Sequence, residues 1–170
     1  MHCAELLTDA FGRIREAVHA VVADLGTDEL SARLDDHANS IAWLVWHLTR
    51  VQDDHVAEAM GLEQVARSGH WEERFGFPFA PGATGYGHRT EEVTAVRVDD
   101  PGLLTGYHDA VHDQTVAALG GVSAVDLDRV VDRRWDPPVT LGVRLVSVID
   151  DDLEHVGQAA FIRGVLLRRR

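Results

Sequence analysis

The chain predicts an all-α protein, a four-helix bundle with a long crossover loop between its second and third helices. Three observations lead there. Apolar residues recur at three- and four-residue steps in four separate stretches. Those stretches are about 17 to 28 residues long, which suits a bundle. Glycine or proline punctuates each of them, at Gly26, Gly61, Pro101 and Gly120-Gly121. With 170 residues and 45% apolar content, the chain is long enough for one sizeable core, and residues 1–170 read as a single domain.

The first helix covers residues 4 to 25, with Leu7, Phe11, Ile14, Val18, Val21 and Leu25 on one stripe. Gly26 stops it, and Thr27 to Leu30 reads as a turn into a short connector. Asn39 or Ser40 caps the second helix, IAWLVWHLTRVQDDHVAEAM, which runs up to Gly61. Ile41, Leu44, Leu48 and Val51 share its apolar face, and His47 lies on the edge of that face with Trp43 one turn before it. By the same angles Arg50 and Asp53 point away from the interior.

Residues 61 to 99 form the crossover. Six glycines with Pro78 and Pro81 break any long element there, although a short extended piece at Thr94 to Val98 is compatible with the pattern. Trp71, Phe75, Phe77, Phe79 and Tyr86 make it too apolar for a free linker. A long aromatic loop in a single domain packs over something, often a site. Asp100-Pro101 is a cap followed by proline at the first helical position, and the third helix runs to about Ala118 with Leu104, Tyr107, Val111 and Ala118 inward. After a connector holding Asp136-Pro137-Pro138, the fourth helix opens near Thr140 and continues to Leu167.

The fourth helix carries the puzzle. Leu145, Ile149, Leu153, Val156 and Ala160 fall on one broad apolar face, yet Asp150, Asp151, Asp152, Glu154 and His155 sit in the middle of the same helix. Asp151 and His155, four apart, lie on one stripe and can point at a common atom. Asp150, Asp152 and Glu154 read as solvated charge, with Asp152 nearest the apolar side and able to pair with Arg50 or Arg144.

Taken alone, His47 reads as a core-edge histidine with one hydrogen-bonding partner. Taken with Asp151 and His155 it completes three inward groups from two helices, the usual way to build a metal site in a bundle. Two imidazoles and one carboxylate suit Zn²⁺, with Ni²⁺, Fe²⁺ or Mn²⁺ as alternatives. Three protein ligands leave coordination positions open, as in catalytic rather than structural sites. His108 and His112 are a rival pair, also four apart, but their polar surroundings point to the surface; His55 is a candidate outer neighbour, and the remaining histidines show no usable pattern.

Other chemistries are excluded. The net charge is −12 and every cation is an arginine, which argues against nucleic-acid or anionic-membrane binding. Arg168 to Arg170 read as favourable charge at a helix C-terminus. The single Cys3 rules out an intramolecular disulfide and sits at a poor place for a nucleophile. Gly85-Tyr-Gly-His88 is no phosphate loop. Neither a signal peptide nor a membrane-spanning run is expected, so a cytoplasmic protein is the default.

Three stretches resemble the DinB-like superfamily: NSIAWLVWHL, TEEVTAVRVDDPGLLTGYHDAVHDQTV and VTLGVRLVSVIDDDLEHVGQAAFIRG. More narrowly they resemble the metal-binding domain of mycothiol-dependent maleylpyruvate isomerase. The resemblance implies a divalent metal held by His47, Asp151 and His155, the last followed by the family's His-x-Gly-Gln as His155-Val-Gly-Gln158. Many relatives carry a histidine where this chain has Asp151, so the site resembles the isomerase type. The resemblance also implies a low-molecular-weight thiol, mycothiol, as cosubstrate, a small-molecule acceptor, transferase or isomerase chemistry, and a homodimer. Trp43, Gln158 and the aromatic loop are then expected to line the pocket, with Arg89 or Arg144 as candidates to hold the thiol. The alternatives are a bundle that binds metal without catalysis, in stress or sensing, and a metal-free bundle in which His47 and Asp151 form a simple pair.

Overall fold

A computed structural model describes residues 2–170. Four long helices form the bundle: α1 (Cys3–Val22), α3 (Ile41–Met60), α7 (Pro101–Leu119) and α8 (Leu141–Leu167), with α2 (Thr27–Ser31) between the first two. Between α3 and α7 the chain makes three short helices, α4 (Val65–Ser68), α5 (Trp71–Phe75) and α6 (Thr90–Ala95). A 3₁₀ turn at Asp126–Asp128 and a two-stranded ribbon, β1 (Val130–Asp132) with β2 (Val139–Thr140), lead into α8.

The chain signals work as physical caps. Ser40 Oγ accepts from the Trp43 amide, Asp100 accepts from the Gly102 amide ahead of Pro101, and Thr140 Oγ1 accepts from the Val143 amide. Gly61 closes α3 at φ 69°, a left-handed conformation that costs glycine little.

Helix α3 is the spine. It packs chiefly on α8 and also on α7, while α1 closes the ring between the same two helices. Every residue from Ile41 to Arg50 is buried, so α3 has no solvent face over that span. Fully buried Leu, Ile and Val side chains such as Leu44, Leu48, Ile14 and Leu145 each contribute about 1.5–3 kcal/mol of transfer free energy.

Several expectations are corrected. Thr27 to Ser31 is a helical turn, its N-terminal amides answered by Glu29, not a simple turn. Thr94 and Ala95 belong to α6, and no strand covers residues 94–98. The segment before α8 holds the β-ribbon, anchored where Asp132 accepts from Arg134 and Arg144. On α8 the buried stripe is Leu141, Leu145, Val148, Asp152, Val156, Ala159 and Ile162, whereas Leu153 and Ala160 face outward. The apolar face assigned from sequence is therefore rotated, because Asp152 occupies the middle of the true one. Arg50 and Asp53 are buried, not outward. They form an ion pair at 3.0 Å under the crossover, since α3 is enclosed on every side at that level.

Candidate metal centre

His47, Asp151 and His155 come together between α3 and α8, each offering one ligand atom, and these atoms lie within 4.8 Å of one another. No other such group of three occurs among the described residues. The His47 and His155 rings stand 4.8 Å apart between centroids, and His155 Nε2 lies 3.7 Å from Asp151 Oδ1.

Hydrogen bonds set the direction of both imidazoles. His47 Nδ1 lies 2.6 Å from the Thr84 carbonyl oxygen, so the ring donates there and its Nε2 keeps the lone pair. His155 Nδ1 lies 3.4 Å from Gln158 Oε1, the fourth residue of His155-Val-Gly-Gln158, which leaves its Nε2 toward Asp151 in the same way. Burial pushes the His47 imidazole below its ordinary pKa, more strongly than the Thr84 carbonyl pulls it up. A neutral imidazole is the form that donates to a metal. Asp151 Oδ2 is a buried oxygen with no hydrogen-bond partner. An orphaned carboxylate oxygen beside two outward lone pairs is a donor set lacking its acceptor, and it fits a divalent cation.

An aromatic shell surrounds the trio. Trp43 stacks on His47 at 4.5 Å and meets His155 edge-on at 6.4 Å. Its indole N–H donates to His88 Nδ1 at 3.2 Å, and His88 in turn stacks on Trp46 at 5.7 Å. Gly85 has φ 98° and comes so close that a β-carbon there would stand 2.8 Å from His47 Nδ1. The crossover therefore covers the site, as its aromatic content suggests. Thr84 draws no notice in the sequence, and Gly85-Tyr-Gly-His88 is weighed there only as a phosphate loop and set aside. Thr84 acts through its backbone, which no side-chain pattern announces; the glycine pair flanking Tyr86 was the available signal.

Other candidates resolve differently. Asp152 is fully buried, and neither carboxyl oxygen has a hydrogen-bond partner; burial first, and then the neighbouring Asp151 charge, push its pKa well above the carboxylate range. It is neither solvated nor paired with an arginine, because Arg50 is held by Asp53 and Arg144 by Asp132. His108 is fully buried against Thr49 of α3 rather than exposed. His55 touches Arg144 at 3.4 Å. Arg89 is exposed at the start of α6.

The family model described as mycothiol-S-transferase matches residues 6–167. Among solved structures, the crystal structure of a conserved protein from Enterococcus faecalis superposes with a TM-score of 0.89, at 31% identity over 96% of each chain. No curated protein matches the chain. The match over nearly the whole length, on a mainly helical bundle of this kind, means that the chain belongs to the mycothiol-S-transferase family of DinB-like proteins.

Proposed function

We propose that the protein is a divalent-metal-dependent S-transferase that joins the sulfur of mycothiol to a small electrophile, with Zn²⁺ as the best-suited ion. The observation that carries this reading is the convergence of His47, Asp151 and His155 with both Nδ1 atoms already committed to oxygen acceptors. Two imidazoles and a carboxylate match the borderline character of zinc. When bound, the ion supplies the Lewis acidity that turns a thiol into a thiolate near neutral pH.

The chain's own residues do the rest. The Thr84 carbonyl fixes the His47 tautomer and ring plane, and Gln158 does the same for His155. The Asp151 carboxylate offsets the cation's charge. Trp43, stacked on His47 and hydrogen-bonded to His88, keeps bulk water from one side. Attack of the mycothiol sulfur on an electrophilic carbon forms the C–S bond as the bond to the carbon's leaving group breaks and that group departs with the electron pair; the thiol proton passes to solvent, so no protein base is needed.

Metal analysis of untagged protein is expected to find about one equivalent of a divalent ion, lost in His47→Ala and His155→Ala, with mycothiol transfer falling at least about a hundredfold. Protein that takes up no metal under any loading condition refutes the reading. In the Co²⁺-substituted protein, mycothiol is expected to alter the charge-transfer band; an unchanged band counts against thiol transfer while leaving metal binding intact.

Gly85→Ala tests the covering loop. The new β-carbon must displace His47 or the loop, and the φ of 98° is strained for alanine. Metal affinity, read by chelator competition, is expected to fall about 10- to 100-fold, the usual cost of disturbing a ligand's supporting hydrogen bond.

A further inference from the structure

A partly open cavity lies beside the metal centre and shares none of its three ligands. It has a volume of about 260 Å³ and is walled by six aromatic rings, those of Trp46, Trp71, Phe75, Phe77, Phe79 and Tyr107. The rings are set for mutual contact: Phe75 and Phe77 stack at 5.1 Å, Trp46 meets Phe77 edge-on at 5.7 Å, and Trp71 tilts on Tyr107 at 5.3 Å.

We infer that this cavity binds an uncharged, planar aromatic molecule of about two fused rings. Size comes first. A cavity of about 150 Å³ lined by apolar side chains accepts one benzene, so the larger space here accommodates a second ring. Shape and polarity come from the ring walls, which offer faces and edges to a flat π-system and exclude an aliphatic chain from none but gain least from it.

Charge is decided by the polar groups on the wall. Arg50 lies there, but its guanidinium donates to Asp53, the Tyr107 hydroxyl, Gln64 and the Ala83 carbonyl. Asp53 neutralises it at 3.0 Å, so an entering anion finds no free counter-charge. Glu73 also lines the cavity, but its side chain is exposed, so its charge is solvated at the mouth rather than aimed at a guest inside. Glu72 already accepts from the Gly82 amide. A neutral guest enters without stranding a charge or breaking any of these bonds.

One loop joins this cavity to the metal centre. Phe77, Phe79 and Ala83 line the cavity, the next carbonyl, Thr84, holds His47, and His88 stacks on Trp46 from the other side of the same loop. Under the transferase reading above, the guest is the apolar body of the electrophilic acceptor; that role rests on the reading, whereas the binding itself does not.

The test is equilibrium dialysis of the full chain with 2-naphthol at neutral pH. Saturable binding at one site is expected. Ala83→Phe, which fills the space from a half-buried position, is expected to weaken it at least about tenfold. Phe77→Leu, which removes one ring but keeps the wall apolar, is expected to weaken it about two- to tenfold. Circular dichroism verifies that each variant keeps its helix content. Parent protein stripped of metal with a chelator is expected to bind 2-naphthol as the untreated parent does, so a failed metal reading and a failed cavity are told apart. Absence of saturable binding in the parent, or equal binding in both folded cavity variants, overturns the inference.

Discussion

Asp53→Ala is expected to remove about 3–5 kcal/mol of folding stability, the range for breaking one side of a buried ion pair. The reason lies in how much depends on that carboxylate. It is 1% exposed, and its two oxygens accept from the Arg50 guanidinium, the Tyr107 hydroxyl and the amides of Val65 and Ala66. Alanine takes the shared acceptor from all four buried donors, one of them charged. Arg50 still has the Ala83 carbonyl and Gln64, which moderates the loss. In the double variant Arg50→Met with Asp53→Leu the buried charge is gone, so part of the stability should return. It should not return fully, because the amides of Val65 and Ala66 remain without acceptors. Urea unfolding of the parent, the single and the double variant decides this. A single variant within about 1 kcal/mol of the parent would show that water reaches Arg50 and that the network is not a dry one.

This network also shows where sequence reading stops. Four helices, their starts at Asn39 or Ser40, at Asp100-Pro101 and near Thr140, and the convergence of His47 with Asp151 and His155 were legible, because these depend on local angles and on short-range hydrogen bonds. The same angles sent Arg50 and Asp53 outward, since periodicity assumes that a helix has one wet face. Helix α3 has none between Ile41 and Arg50, as the crossover lies over what would be its polar side. Nothing within α3 records that cover; it comes from residues 61–88, more than a turn of any helix away in sequence.

Asp152 failed for the converse reason. Asp150, Asp152 and Glu154 read as solvated charge, yet Asp152 lies on the buried stripe of α8, where a neutral acid costs less than an ionised one. The aromatic crossover was legible as a cover but not in its details. Thr84 contributes a carbonyl and Gly85 an absence of side chain, and neither leaves a mark in composition.

His108 makes the fold acid-sensitive. Its imidazole is fully buried and pushed down to about 3, by burial first and then by the nearby His112. The His19 and Arg15 charges on α1 act in the same direction, and Asp109 opposes them. The hydrogen bonding explains why the proton is refused. Thr49 Oγ1 donates to the Val45 carbonyl, so His108 Nδ1–H donates to Thr49, and Nε2 is left buried without a partner. A second proton would sit on that nitrogen facing no acceptor. In the unfolded chain the ring titrates at about 6.5, so between that pH and about 3 the unfolded state binds a proton that the folded state does not. Stability is therefore intact above about pH 6.5 and declines as the pH falls through this window, by about 1.4 kcal/mol per unit. Between pH 7 and pH 5 the loss from this group is about 2 kcal/mol. His108→Leu removes the titration and leaves Thr49 still bonded to Val45. Urea unfolding at pH 7 and pH 5 is expected to show a loss smaller by about that amount in the variant than in the parent. Equal losses in the two proteins would mean that His108 takes up its proton in the folded state, with the bundle opening around α7 to let it in.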